Sequence, residues 1–199
     1  MNNDFWSERY STDEYIFGIE PNEYFKSKIA ELKPGRILVP AAGEGRDAVY
    51  AATIGWDVIA FDLSEVGKNK ALKLAALKNV KIHYDLYDVN DLTVLENEFD
   101  AVVISYFHLP ENIRTEFLKK IIYSLKVGGV IILEAFNPKQ LYNNSGGPND
   151  LSLFLTTEIL KNNFKELEII ENNEHEIILN EGDGHKGKAS VVRFFGKKR

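Results

Sequence analysis

The chain of 199 residues contains no cysteine, which removes disulfides, thiolate metal sites and a cysteine nucleophile from consideration. A cysteine-free chain also agrees with a reducing compartment. Long apolar runs are missing as well. The longest, such as residues 130–133 (VIIL), fall far short of a bilayer. The first ten residues, MNNDFWSERY, are polar and aromatic, so no signal-peptide hydrophobic region opens the chain. The expectation is a soluble, cytoplasmic protein without a membrane partner. Basic excess is absent too: 24 Lys and Arg stand against 30 Asp and Glu, a formal net charge of −6. Such a surface lacks what nucleic-acid phosphates demand, and no nucleic-acid partner is expected. The basic end, GKKR, reads as a solvated chain end.

What remains is ordinary globular composition, with 44% hydrophobic and 27% charged residues, long enough for one domain with a sizeable core. Short apolar runs alternate with longer amphipathic ones, the pattern of βαβ units around a parallel sheet. Strands are predicted at residues 36–40 (RILVP), 56–61 (WDVIAF), 80–84 (VKIHY), 99–105 (FDAVVIS) and 129–136 (GVIILEAF). Helices are predicted at 22–32, 46–54, 65–77 with Ser64 as N-cap, 111–125 opened by Pro110, and near 157–164. The chain then changes character. Residues 167–179 and 189–195 read as strands around 180–188 (NEGDGHKGK), whose three glycines suit a hairpin or long turn. The fold class is therefore α/β: a doubly wound, Rossmann-like, mostly parallel seven-stranded sheet with helices on both faces and a C-terminal antiparallel hairpin.

The strongest chemical signal is ILVPAAGEGRDA at residues 37–48, a buried strand running into small residues and then a helix. Gly43 and Gly45 let the backbone turn and approach a ligand, and the helix N-terminus presents free N–H groups to it. Asp62, at the carboxyl end of the second strand, is placed to accept from both hydroxyls of an adenosine ribose. The string Gly43-x-Gly45-x-x-Ala48 also fits a dinucleotide fingerprint, so an NAD(P)-dependent oxidoreductase is an alternative. Against it, too few residues follow the fifth strand for a second catalytic domain. The only Tyr-x-x-x-Lys pair, Tyr24 to Lys28, precedes the first strand, and a terminal hairpin is foreign to that fold. A non-catalytic nucleotide-binding module is a third reading.

The order of several weak motifs is specific where each alone is not. FWSERY (5–10), FGIEPN (17–22), the glycine loop, FDLS (61–64), HYDLYD (83–88), FDAVVISYFHLP (99–110), LKVGG (125–129), LEAFNPKQL (133–141) and GHKGKASVVRF (184–194) follow one another along nearly the whole chain. In this arrangement the chain resembles the class I S-adenosylmethionine-dependent methyltransferases of the thiopurine and tellurite-resistance type. The resemblance implies a single domain, with residues 1–34 an N-terminal lid and helix and 35–199 the α/β core. It implies S-adenosyl-L-methionine as cofactor, no metal, and a small-molecule methyl acceptor.

By that resemblance Ala41, Gly43, Glu44 and Gly45 flank the methionyl part of the cofactor. Asp62 binds the ribose and Leu63 packs on the adenine. Asp85 accepts from the adenine amine, and the N–H of Leu86 meets a ring nitrogen. Ser105 and Tyr106 lie beside the transferred methyl. Many members of the class carry an acid where Val39 stands and a glycine where Ala41 stands, a departure shared with the thiopurine branch. The aromatic N-terminal segment, with Trp6, Tyr10 and Phe17, resembles a lid whose ring faces suit a sulfonium cation, and Arg9 suits a carboxylate. Candidates for the acceptor side are His108 after the fourth strand, Glu134 interrupting the apolar fifth strand, and His185 in the hairpin. A charge in such a run as Glu134 occupies needs a partner or a site. The chemistry expected is in-line displacement on a small nucleophile. A thiol, a selenol or a species derived from a tellurium oxyanion fits, since a soft anion needs little base catalysis.

Overall fold

The computed structural model describes residues 3–199; residues 1 and 2, the start of the expected lid, lie outside them. The strands are β1 (Arg36–Pro40), β2 (Asp57–Asp62), β3 (His83–Leu86), β4 (Phe99–Ser105), β5 (Leu125–Phe136), β6 (Leu167–Glu181) and β7 (His185–Lys198). The helices are α1 (Asn3–Arg9), α2 (Glu23–Ile29), α3 (Arg46–Thr53), α4 (Glu65–Leu77), α5 (Glu111–Ser124) and α6 (Thr157–Asn163). One seven-stranded sheet runs in the order β3-β2-β1-β4-β5-β7-β6. β1 to β5 are parallel, and β7 enters antiparallel between β5 and β6. The expected fold class holds.

Strict alternation explains why both sheet faces are buried. Ile37, Val39, Val58, Ala60, Ala101 and Val103 pack with α2 and α3 on one face. Leu38, Phe61, Val102, Ile104, Ile131 and Leu133 pack with α5 and α6 on the other. Strand order reverses between β1 and β4, so the chain leaves their carboxyl ends in opposite directions and opens a crevice there.

Boundaries differ from the sequence reading at several elements. The third strand begins at His83, not at residue 80, because the Val80 N–H donates to Ala75 O and finishes the turn after α4. β5 starts at Leu125, ahead of Gly129, and the register with β4 slips between Phe99 and Ala101. In the terminal hairpin the ladder continues to Glu181 and His185, leaving only residues 182–184 as the turn. Among the described residues no helix is long and apolar enough to cross a membrane.

Candidate active site

The glycine loop is held from three sides. Ala41, Gly43 and Gly45 have φ of 49°, 52° and 88°, the left-handed region. The Gly43 N–H donates to Asp62 Oδ2 at 3.0 Å, and Tyr84 Oη donates to Gly43 O at 2.7 Å. The Ser64 N–H donates to Asp62 Oδ1 at 2.9 Å. Burial pushes the Asp62 carboxyl above its ordinary range, against those backbone hydrogen bonds. A Cβ on Gly45 would stand 2.4 Å from Ala71 Cβ. Gly45→Ala is therefore expected to cost about 2 kcal/mol in chemical denaturation, from overpacking plus backbone strain.

The N-terminal segment lies across this loop. Trp6 stacks on Tyr10 with ring centroids 5.5 Å apart, and Tyr10 is buried. The Lys70 ammonium binds the carbonyls of Tyr10, Thr12 and Glu14 and also pairs with Glu44. Tyr15 Oη donates to Lys70 O at 2.9 Å. The segment's far end meets the hairpin: the Gly184 N–H donates to Ile16 O at 2.7 Å, and the Phe17 ring lies 4.5 Å from that of His185. Arg46 bonds both Phe17 O and Glu181, and Glu181 in turn accepts from His185 Nδ1 at 3.2 Å.

Between the loop, the N-terminal segment and the ends of β4 and β5 lies a cleft of about 570 Å³, within the range of small-ligand sites. Its wall brings together Trp6, Arg9, Tyr10, Phe17, Ala41, Gly43, Glu44, Gly45, Asp62, Leu63, Ser105, Tyr106, His108 and His185. One end is acidic, with Glu44, Asp47 and Asp62 around the start of α3. The other end is aromatic. There Tyr106, itself at φ 52°, packs 4.6 Å from Phe136 and 4.4 Å from His185. His108 stacks on Phe136 at 5.8 Å. Its Nδ1 lies 3.0 Å from Leu153 O; a carbonyl only accepts, so Nδ1 carries the proton and Nε2 the lone pair. Nε2 is buried and has no hydrogen-bond partner among the described residues.

Burial pulls the His108 imidazole down from 6.5 to about 4, and burial also lowers that of His185. Both rings bind protons more readily in the unfolded chain than in the folded one. Stability is thus fully present above pH 6.5 and falls as pH drops toward 4. For His108 the loss is at most about 3 kcal/mol. His108→Phe is expected to flatten that slope in urea titrations between pH 7 and 4.

Residues 37–129 match the model of the methyltransferase domain family. Over 148 residues the chain is 24% identical to thiopurine S-methyltransferase of Vibrio cholerae, a match covering 65% of this chain and 68% of the relative. It is 23% identical to the probable S-adenosyl-L-methionine-dependent methyltransferase TehB of Haemophilus influenzae, over 98% of this chain and 66% of TehB. The crystal structure of that TehB superposes with a TM-score of 0.73 at 21% identity, over 99% of this chain and 67% of the solved one.

Residues 37–129 carry a methyltransferase domain, and the sequence relatives are S-adenosylmethionine-dependent methyltransferases.

A tRNA (uracil(54)-C(5))-methyltransferase of Pyrococcus horikoshii is 28% identical over 67% of this chain, which spans 35% of that relative. The chain thus spans about two thirds of the first two relatives' length and about a third of this one's.

The methyltransferase's residues fit its cofactor, S-adenosylmethionine, on three observations. The buried Asp62 carboxylate has no cationic partner among the described residues and faces the cleft. A Cβ at Gly43 would stand 2.7 Å from Tyr10 Oη, so only bare backbone fits beneath the Tyr10 ring. The hydroxyl of Ser105 is buried beside the Asp47 carboxylate on the cleft wall. An acidic wall with stacked rings suits a cofactor bearing ammonium and sulfonium cations. The same carboxylates would repel the pyrophosphate that a dinucleotide places at this helix start.

Three expected site residues fall outside the cleft wall. Asp85 is exposed and accepts from His83 Nε2 at 2.8 Å, and Leu86 is 45% exposed. β3 is an edge strand, Leu86 pairs with Asp62, and Tyr87 and Val89 beyond it line the cleft. Glu134 is buried behind Tyr106. It accepts from Tyr106 Oη at 2.7 Å, Asn22 Nδ2 at 2.6 Å and Arg193 Nε at 2.6 Å. Both of its oxygens are occupied by these donors. Arg46, Asp47, Tyr87, Val89 and Phe136 line the cleft without having been singled out. Arg46 had a legible signal, a cation placed against the dipole at a helix start.

Proposed function

We propose that this methyltransferase methylates a small-molecule nucleophile bound in the aromatic end of the cleft, beneath a lid formed by residues 1–34 over a core of residues 35–199. The observation that carries this reading is the division of one cleft into an acidic end at Asp62 and an aromatic end at Tyr106, His108 and His185. When bound, the cofactor supplies an electrophilic methyl group, so the chain's task is to bind, align and exclude water.

In this reading Asp62 accepts from the ribose hydroxyls, and Leu63, Tyr87 and Val89 enclose the adenine. Ala41, Gly43, Glu44 and Gly45 border the methionyl part. Arg9, whose guanidinium lies 5.7 Å from the centre of the Phe17 ring on the cleft wall, takes a carboxylate of cofactor or acceptor. Trp6, Tyr10 and Phe17 cover the site, and Ser105 and Tyr106 stand between its two ends. His108 and His185 face the acceptor, and Glu134 sets the Tyr106 ring. Similarity to a thiopurine methyltransferase and to TehB supports a thiol, a selenol or a tellurium-derived nucleophile. The formal charge of −6 supports a small acceptor over a nucleic acid.

Thermal denaturation with added nucleotides tests the reading. S-adenosylhomocysteine at one hundred times its dissociation constant should stabilise the protein by about 2.7 kcal/mol, with no shift from NAD or NADP. Stabilisation by NAD or NADP alone would instead support an oxidoreductase. Binding of S-adenosylhomocysteine without methyl transfer to any thiol, phenol or amine would support a non-catalytic module.

A further inference from the structure

Two imidazoles approach the aromatic end, and both are held with Nδ1 as the donor. His185 gives Nδ1 to Glu181, while His108 gives it to the Leu153 carbonyl. Only His108 has its other nitrogen sealed from water and unpaired: Nε2 has almost no accessible surface and no partner. A buried acceptor left open costs stability unless something fills it. Phe136 and Phe154 pack against the ring, at 5.8 and 6.1 Å, so it cannot turn to offer a different edge without displacing them. The orphan lone pair belongs to a residue of the cleft wall.

We infer that His108 Nε2 receives the hydrogen carried by the acceptor's nucleophilic atom, so that the acceptor binds as a neutral S–H, Se–H, O–H or heteroaromatic N–H compound and not as an oxyanion. The inference rests on the proposed function and narrows its substrate class. An anionic oxygen facing this nitrogen would set lone pair against lone pair, whereas an X–H group completes the one unmade hydrogen bond.

The step balances. The bond from nucleophile to methyl forms as the sulfur–methyl bond breaks, and its electron pair stays on sulfur. The hydrogen of the nucleophile passes to Nε2 as a proton, and the imidazolium gives it up to solvent once the product has left the cleft. Transfer to a weakly basic imidazole is favourable because a methylated thiol or phenol that still holds its proton is strongly acidic. A methylated aliphatic amine is not, so aliphatic amines are poor acceptors here. The depressed basicity of His108 agrees with this order of events and leaves Nε2 unprotonated at neutral pH.

The test uses the whole protein saturated with S-adenosylhomocysteine, where no transfer occurs, with phenol, toluene and benzoate as probes of similar shape. Nitrogen-15 NMR of the histidines should report Nδ1–H and bare Nε2 for His108 in the free protein. Phenol should shift that Nε2 resonance and bind roughly tenfold tighter than toluene, the worth of one hydrogen bond. Benzoate should neither shift it nor compete with phenol. His108→Phe should bind phenol and toluene alike, and His108→Gln, whose amide oxygen can accept, should recover part of the preference. Melting curves of both variants establish that they fold. The inference is overturned if Nε2 carries the proton in the free protein, if a folded His108→Phe keeps the preference for phenol, or if benzoate displaces phenol. Failure of S-adenosylhomocysteine to bind at all would instead remove the proposed function.

Discussion

Asp62→Ala is expected to weaken S-adenosylhomocysteine binding by at least a hundredfold in calorimetry. The carboxylate lies on the cleft wall, and each of its oxygens already accepts one backbone N–H, from Gly43 and Ser64. Each carboxylate oxygen has a second lone pair, and a ribose diol can fill both. A hydrogen bond to a charged group is worth about 1.5–3 kcal/mol, so two of them amount to about 3–6 kcal/mol before any loosening of the Gly43 loop. Asp62→Asn keeps the shape and one acceptor oxygen and should fall between. Asp85→Ala serves as the contrast. Asp85 is exposed outside the cleft and bonded to His83, and its removal should change affinity less than twofold. A large loss from Asp85→Ala would return that residue to the adenine site and displace Tyr87 and Val89.

Glu134→Ala should lower the unfolding free energy by about 3–5 kcal/mol, the cost of breaking a buried ion pair from one side. Glu134 is 2% exposed and sits mid-sheet, with Ser105 and Arg193 as its register partners. Its removal strands the guanidinium of Arg193 and the hydroxyl of Tyr106 and leaves the amide of Asn22 only its longer bond to Glu181. Asn22 also caps α2 by accepting from the Phe25 N–H, and its own N–H donates to Asp47. The damage should therefore spread into both α2 and the start of α3. Glu134→Gln keeps an acceptor for Asn22 and Tyr106 but loses the charge opposite Arg193, so a smaller loss is expected. Urea denaturation at pH 7 measures both, and a change below about 1 kcal/mol for the alanine variant would mean that the network relaxes around the gap.

The fold was legible wherever local signals agreed. Short apolar runs at residues 36–40 and 99–105 placed β1 and β4 to the residue, and Ser64 capped α4 as its side chain suggests, by accepting from the Gly67 N–H. Residues 80–82 misled because Val80 and Ile82 are apolar for a different reason: they pack beside Val49, Leu74 and Ala75 between α3 and α4. The hairpin misled in the opposite sense. NEGDGHKGK is polar and glycine-rich, yet Gly182 and Gly184 serve close backbone approach to Ile16 and Phe17, and the ladder runs through Glu181 and His185.

The site divides along the same line. Gly43, Gly45 and Asp62 announced themselves because a strand, a turn and a spaced acid are local features. Asp85 ends a short edge strand and Asp88 stands three residues further on, so local pattern alone does not say which acid faces the cleft. The free nitrogen of His108 depends on Leu153, 45 residues away, and the confinement of Glu134 on Asn22 and Arg193. No local pattern encodes such distant pairings.

The most direct test of the account is a crystal structure of the protein with S-adenosylhomocysteine. The ribose hydroxyls should bond to Asp62, the adenine should lie between Leu63, Tyr87 and Val89, and the sulfur should face Ser105 and Tyr106 beneath Trp6 and Tyr10. Density for the ligand elsewhere, or a ribose turned away from Asp62, would contradict it.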